Sequence, residues 1–135
     1  MKRFALIVSL GIAVCGAMPA LSQAGTITEG FVATPTGSGG YTFQTIISPG
    51  DPAFTQLLGI NNGSTIAGYF GDGAIVPNNG FTLVLPNSFT AENFPGAVQT
   101  QVVGINSAGE TVGFWIDSAG VQHGFTDIAV SYTHL

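Results

Sequence analysis

The sequence predicts an all-β protein made of antiparallel, four-stranded repeat units of about 45 residues, β-propeller-like but incomplete, preceded by a signal-peptide helix. The first observation behind this is a stretch that occurs twice, since residues 59–70 (GINNGSTIAGYF) return as residues 104–115 (GINSAGETVGFW). A period in the low forties is the length of a four-stranded propeller blade. The second observation is the regular succession of turn-forming residues and short β-branched or aromatic runs, which is typical of β-hairpins.

The repeated stretch reads as a hairpin tip followed by a strand. Asn62-Gly63 in the first copy and residues 106–109 in the second are rich in Asn and Gly, which accept the positive φ angles of tight turns. The strands predicted to follow are Thr65–Phe70 and Thr111–Ile116. Each contains one glycine, where a neighbouring backbone or ring could approach closely.

Other predicted strands recur on either side of the repeated stretch. An x-Gly-Phe step begins a strand three times, at residues 29–31, 79–81 and 123–125, and segments 41–50 and 87–96 each carry a Phe followed six positions later by Pro. One unit is therefore four strands joined by turns. The residues assigned to the structural repeat motif are Gly59, Ile60, Asn61, Gly68, Gly80, Phe81, Gly104, Ile105, Asn106, Gly113, His123, Gly124 and Phe125.

The order of these steps resembles the extracellular repeat of the HAF family, which is named for its His-Ala/Gly-Phe step. The resemblance is carried by Gly-Ile-Asn at 104–106, Val-Gly-Phe at 112–114 and His-Gly-Phe at 123–125, and it covers about residues 30 to 126. In two of the three copies Glu29 and Asn79 replace the histidine. The resemblance implies a secreted bacterial β-repeat protein and brings no catalytic residues with it.

The first 24 residues have the pattern of a secretory signal peptide. Lys2-Arg3 form a positive start, residues 4–14 are mainly apolar, and Ser22-Gln23-Ala24 places small residues before the expected cleavage site at Gly25. The apolar run is shorter than the roughly 20 residues that cross a bilayer. We therefore expect a secreted protein, extracellular or periplasmic, with a β-repeat domain at 25–129.

The last six residues, 130–135, fit no position of the sequence repeat. They resemble the read-through translation of a transposon-derived sequencing adapter, which predicts a non-native tail and a fragment of a longer protein. The alternative is an ordinary irregular C-terminus. The 25–129 segment holds just over two units, whereas closed propellers need roughly four to eight.

Charge and cysteine content exclude several classes of partner. Lys2 and Arg3 are the only Lys and Arg residues of the chain, so the predicted mature segment keeps seven acidic residues and neither a lysine nor an arginine. Nucleic acid and anionic membranes, which are bound through Lys and Arg, are therefore not expected partners. The single cysteine, Cys15, lies in the signal segment, which removes thiol chemistry from the mature part. No cofactor is predicted, and the expected partner is an extracellular carbohydrate or protein.

Few residues qualify for chemistry, and each has a structural explanation. Asp72 and Asp117 recur after the central strand and could share a cation, but Asp is also a common turn residue. Trp115 could form an aromatic platform for a ligand, although strand alternation favours packing in the core. His123 could contact a ligand, but a lone histidine at a strand start is more often structural.

The sequence therefore predicts a secreted, non-catalytic β-repeat protein that acts as a binding or surface-interaction module. One alternative is a fragment of a propeller-type enzyme, such as a glycoside hydrolase, with its active site in missing repeats. Another is a structural spacer anchored to the cell envelope. No Gly-x-Ser-x-Gly, His-Glu-x-x-His or Gly-x-x-x-x-Gly-Lys motif occurs.

Overall fold

A computed structural model describes residues 10–12, 27–128 and 132–134. All regular secondary structure in these ranges is β-strand. The strands form from runs rich in β-branched and aromatic residues, and the turn residues between these runs keep the strands short. The strands are β1 (Leu10–Ile12), β2 (Ile27–Pro35), β3 (Tyr41–Ile46), β4 (Thr55–Ile60), β5 (Thr65–Phe70), β6 (Asn79–Val84), β7 (Ser88–Ala91), β8 (Gln99–Ile105), β9 (Thr111–Ile116), β10 (Gln122–Asp127) and β11 (Tyr132–His134).

The strands form three sheets in which each strand pairs antiparallel with its neighbours in sequence. The first sheet has the order β1-β2-β3, the second β4-β5-β6-β7, and the third β8-β9-β10-β11. The predictions of an all-β, antiparallel fold and of strands at Thr65–Phe70 and Thr111–Ile116 are confirmed. A register shift occurs at the same place in both repeats, between Leu57 and Gly59 in β4 and between Val102 and Gly104 in β8.

The expected signal-peptide helix is not confirmed. Most of the segment predicted to carry it, residues 1–9 and 13–26, lies outside the described residues. The described part, Leu10–Ile12, is a strand that pairs with Ile27–Glu29 of β2.

The last strand shows that part of the C-terminal tail has a place in the repeat after all. Tyr132–His134 pairs with β10, with His134 opposite Phe125. In the same way β7 pairs with β6, with Ala91 opposite Phe81, the residue equivalent to Phe125. Hence β11 lies where the fourth strand of a unit belongs. Sequence comparison missed this position because backbone pairing does not require matching side chains. The non-native origin of residues 130–135 stays a prediction.

Four hairpin turns share one backbone conformation. The N–H of the first residue bonds to the carbonyl of the fifth at Thr36–Gly40, Asn61–Thr65, Asn106–Glu110 and Asp117–Val121, with N···O distances of 2.8 to 3.0 Å. The fourth position has a positive φ in each, and it is glycine in three turns but Ser64, at 63°, in the other. The expectation that Asn62-Gly63 would carry this conformation is therefore wrong by one position.

The sheets pack against one another through faces that recur along the chain. We call the face directed toward the following sheet the forward face, and the opposite one the rear face. Val32 and Ile46 lie on the forward face of the first sheet and pack against the rear face of the second in one buried cluster. The rear-face members of that cluster are Leu57, Ile66, Phe81 and Leu83.

A second cluster joins the forward face of the second sheet to the rear face of the third. Its fully buried members are Ala67 from β5, Val102 from β8 and Phe125 from β10. Because side chains alternate along a strand, Ile66 and Ala67 face opposite neighbours, and β5 contributes to both cores. The second sheet is thus covered on both faces.

Close backbone approaches explain why the repeat requires glycine. A Cβ at Gly80 would lie 2.7 Å from a methyl group of Val102, and one at Gly113 would lie 2.7 Å from the Phe125 ring. A Cβ at Gly59 would lie 3.2 Å from the Gly104 Cα, which places the two Cα atoms within about 5 Å of each other. Equivalent glycines of successive repeats therefore meet directly.

Candidate functional site

The predicted motif residues lie in the framework of the repeat. Ile60 and Phe81 pack in the first cluster, and Ile105 and Phe125 in the second. The asparagines cap the hairpin turns. Oδ1 of Asn61 accepts the N–H groups of Gly63 and Thr65. Oδ1 of Asn106 accepts those of the residues two and four positions after it, Ala108 and Glu110. The remaining glycines of the motif lie at the close approaches, except Gly124, which pairs with Phe114. The last motif residue is His123, which pairs with Trp115.

Asp72, a weak candidate for sharing a cation with Asp117, organises its own loop. Its Oδ1 accepts the backbone N–H groups of Ala74, Ile75 and Val76 at 2.8, 2.8 and 3.1 Å. These bonds hold the pKa of Asp72 below its ordinary value, because they favour the charged carboxylate. One carboxylate oxygen is thus occupied by the loop.

Asp117 is also a turn cap, but it carries an additional contact. Its Oδ1 accepts the N–H groups of Ala119 and Val121, both at 2.9 Å, and its Oδ2 lies 3.0 Å from Nε2 of His123. The histidine and the turn N–H groups together hold the pKa of Asp117 below its ordinary value. Both side chains are about one quarter exposed, at 29% for Asp117 and 24% for His123.

Trp115 is half-buried and packs against the second core cluster. Its ring lies 4.3 Å from that of Phe94 at an interplanar angle of 2°, and 4.3 Å from the His123 ring at 22°. Trp115 and His123 are cross-strand partners in β9 and β10, which brings their rings together. This aromatic stack and Asp117 form one contiguous surface feature.

The packing between the second and third sheets contains a polar cluster that sequence reasoning missed. It consists of Glu92, which follows β7, Thr111 from β9 and Asp127 from β10. Glu92 is 7% exposed and Thr111 is 2% exposed, and the Thr111 hydroxyl donates to a carboxylate oxygen of Glu92. Oδ1 of Asp127 is also buried.

Each member of this cluster replaces an apolar residue at the preceding sheet contact. Thr111 pairs with Asp127 in the register in which Ile66 pairs with Leu83, and Glu92 follows Ala91 as Ile46 follows Thr45. The equivalent residues Ile46, Ile66 and Leu83 are buried at 3%, 1% and 0% exposure. Aligning the two repeats position by position would have indicated this cluster, because polar residues replace apolar ones at equivalent positions. No residue spacing within a single repeat indicates it.

The environment of Glu92 favours its neutral form. Burial raises the pKa of the Glu92 carboxyl, the Thr111 hydrogen bond opposes the rise, and the Asp127 charge adds to it. A buried carboxyl near a second one retains its proton more strongly because two like charges in a poorly solvated site repel. The cluster therefore links protonation to the contact between two sheets.

The forward face of the third sheet is open. Val112 holds the position that Ala67 holds in the second sheet, yet it is 45% exposed where Ala67 is 0% exposed. A groove of about 340 Å³ lies at the edge of this face beside the β8–β9 turn, and it also reaches Ile105 and Thr111, which belong to the contact with the second sheet. Its lining is formed by Ile105, Asn106, Glu110, Thr111, Val112, Thr126 and Ile128.

Comparisons with known proteins add no assignment, since no family model, curated protein or solved structure matches the chain. Within the described ranges, no three His, Cys, Asp or Glu side chains are placed to hold a metal ion together. The described part of the chain likewise has no helix of the length and apolarity needed to span a bilayer.

Proposed function

We propose that the chain is a secreted, non-catalytic β-repeat protein with propeller-like units of the HAF type, and that it acts as a binding module. The observation that carries the proposal is the open forward face of the third sheet. The same face is covered in the first and second sheets by the sheet that follows. An open sheet face whose equivalents are buried between sheets is a candidate interaction surface.

The chemistry of this face limits what it binds. Val112 and Ile128 supply exposed apolar surface at 45% and 57% exposure, and Thr126, Asn106 and Glu110 supply polar groups at the groove. No lysine or arginine lies between residues 4 and 135. A neutral carbohydrate or an apolar protein surface suits such a groove, whereas a phosphate group does not.

Binding is tested with a panel of polysaccharides and immobilised extracellular proteins. Val112→Lys is expected to abolish binding of any probe that the wild type retains, because it places a charged chain in the groove. Val98→Lys adds the same charge at a residue that is 51% exposed and outside the groove, and it should bind normally. Equal binding by both variants, or binding of no probe by the wild type, would refute this assignment of the surface.

The same panel separates the module from the enzyme alternative. A non-catalytic module leaves every bound polysaccharide at its original length, which mass spectrometry of the supernatant measures. Release of shortened sugars in step with binding would instead favour a propeller-type hydrolase.

Secretion is tested separately by expressing the full chain with its own N-terminus in a bacterial host. We expect the exported protein to begin at Gly25, because residues 22–24 present the small-residue pattern that signal peptidase cleaves. A cytoplasmic protein that keeps residues 1–24 contradicts this part of the proposal.

A further inference from the structure

We propose that the contact between the second and third sheets is a proton-controlled joint. The joint is closed while the Glu92 carboxyl holds a proton, and it opens when that proton is lost. The contact between the first and second sheets stays closed in both states. The proton therefore controls one of the two sheet contacts, and this control does not depend on the proposed binding function.

Glu92 lies at the junction of the two sheets. It directly follows β7, and its N–H donates to the Gly80 carbonyl at 2.9 Å, so its backbone continues the second sheet. Its side chain meets the third sheet, where the Thr111 hydroxyl of β9 donates to its carboxylate. The segment that links the two sheets starts here and ends at Gln99, where β8 begins. The charge of Glu92 therefore acts where the sheets join.

An ionised Glu92 has no positive charge to compensate it. No lysine or arginine lies between residues 4 and 135, and His123 is paired with Asp117 at 3.0 Å. Glu92 is 7% exposed, so water reaches it poorly. A buried carboxylate held by a hydroxyl donor is much less stable than a hydrated one. Loss of the proton therefore favours a state in which water reaches the carboxylate.

Asp127 is the titratable group that acts on Glu92. It adds its negative charge from β10, and its buried Oδ1 finds no hydrogen-bond donor among the described residues. Tyr69 of β5 stays neutral, because burial raises its pKa. Glu110, just before β9, accepts a hydrogen bond from Asn106 in the turn. The strands β4, β6, β8 and β9 carry no Asp, Glu, His or Tyr. Opening the contact hydrates both carboxylates and relieves their repulsion.

The contact between the first and second sheets has no such group. Its residues at the equivalent positions are Ile46, Ile66 and Leu83, and none of them titrates. Its apolar core is also larger, with six buried members against three in the second contact among the described residues. A part of a protein with fewer buried apolar contacts opens at a lower free energy. The third sheet is therefore the part that separates when Glu92 ionises.

Amide hydrogen exchange, measured by NMR from about pH 5 to about pH 8, tests the joint. One amide crosses each contact with an N···O distance of 2.9 Å: Thr100 N–H donates to the Asn78 carbonyl in the second, and Thr28 N–H to the Ala53 carbonyl in the first. The protection factor of Thr100 should fall relative to that of Thr28 as the pH rises. The fall should be about tenfold for each unit by which the pKa of Glu92 is higher in the closed state than in the open state. A constant ratio overturns the proposal.

Two variants distinguish a proton-controlled joint from a contact that is weak at every pH. Glu92→Gln keeps the shape of the side chain and removes the titrating group, so the ratio of protection factors should no longer change with pH. The triple variant Glu92→Ile, Thr111→Ile and Asp127→Leu copies the residues of the first contact and should also give a constant ratio. A ratio that still changes with pH in Glu92→Gln overturns the assignment of the joint to this carboxyl.

Carbon-13 NMR of the Glu92 carboxyl follows the loss of the proton directly. In the wild type this carboxyl should titrate above the ordinary pKa of glutamate, because burial and the Asp127 charge both favour the neutral form. In Asp127→Asn the titration should move to lower pH, since one of the two causes is removed. A wild-type carboxyl that titrates at the ordinary glutamate pKa overturns the proposal.

Discussion

At the scale of single residues, the repeat is maintained by positions that tolerate few side chains. Ser64 is the one non-glycine residue with a left-handed backbone among the described residues, in a turn whose equivalents use Gly39, Gly109 and Gly120. A side chain in that region costs roughly 1 kcal/mol because Cβ crowds the following carbonyl. The turn forms anyway, since Asn61 accepts two of its N–H groups.

Ser64→Gly should therefore raise the free energy of unfolding by about 0.5 kcal/mol, the strain relieved less the extra chain entropy of glycine. Gly109→Ser is the matched reverse change and should lower it by about 0.5 kcal/mol, because both terms change sign. Urea denaturation of both variants measures the two effects. A loss of stability in Ser64→Gly would show that the serine hydroxyl, and not the backbone angle, determines the residue at this position.

Gly80 tests the close approach between sheets. A methyl group there would collide with the Glu92 carbonyl oxygen and would lie 2.7 Å from a methyl group of Val102. Gly80→Ala should therefore destabilise the fold by about 2 kcal/mol. Gly37→Ala is the control, because a Cβ at Gly37 meets nothing within 4 Å. Thermal denaturation compares them, and equal melting temperatures for the two variants would rule out the proposed packing.

At the scale of the elements, the two sheet contacts have equivalent geometry but different chemistry. The first is apolar through Ile46, Ile66 and Leu83, and the second is polar at the same three positions. Replacing apolar groups by buried carboxyls costs stability unless they are hydrogen-bonded or neutral. The polar contact should therefore depend on pH where the apolar one does not.

Glu92→Gln isolates this dependence. Because burial raises the folded-state pKa of Glu92, its contribution is favourable below the pKa of an unfolded glutamate and is lost as pH rises through the folded pKa. The stability of the variant relative to the wild type should thus increase as the pH rises from about 4 to about 8. Urea denaturation across this range measures the difference, and the opposite trends of Asp72 and Asp117 cancel because both proteins share them. A constant difference would contradict the buried-carboxyl account.

The strands were accessible to sequence reasoning because their signal is local. Turn residues and β-branched runs fix Thr65–Phe70 and Thr111–Ile116 without reference to the rest of the chain. The polar cluster was not accessible in this way, because Glu92, Thr111 and Asp127 lie in three segments and meet only when two sheets pack. Likewise, the left-handed turn position depends on backbone pairing, which the Asn-Gly composition of 62–63 does not specify.

At the scale of the whole molecule, three sheets stack in chain order and repeat one contact. The second sheet is covered on both faces, whereas the first and third each expose one. Repeat arrays of this kind gain stability from each neighbour that covers a face. The proposed binding face is therefore a consequence of this arrangement.

The stacking of equivalent positions is most directly tested by a nuclear Overhauser experiment on isotope-labelled protein at low concentration. The α protons of Gly59 and Gly104, 45 residues apart, should give a strong cross-peak because their Cα atoms lie within about 5 Å. A cross-peak whose relative intensity is unchanged on dilution assigns the contact to one chain. If Gly59 shows contacts only within its own sheet, the sheets do not stack in this register, and the account of the repeat fails.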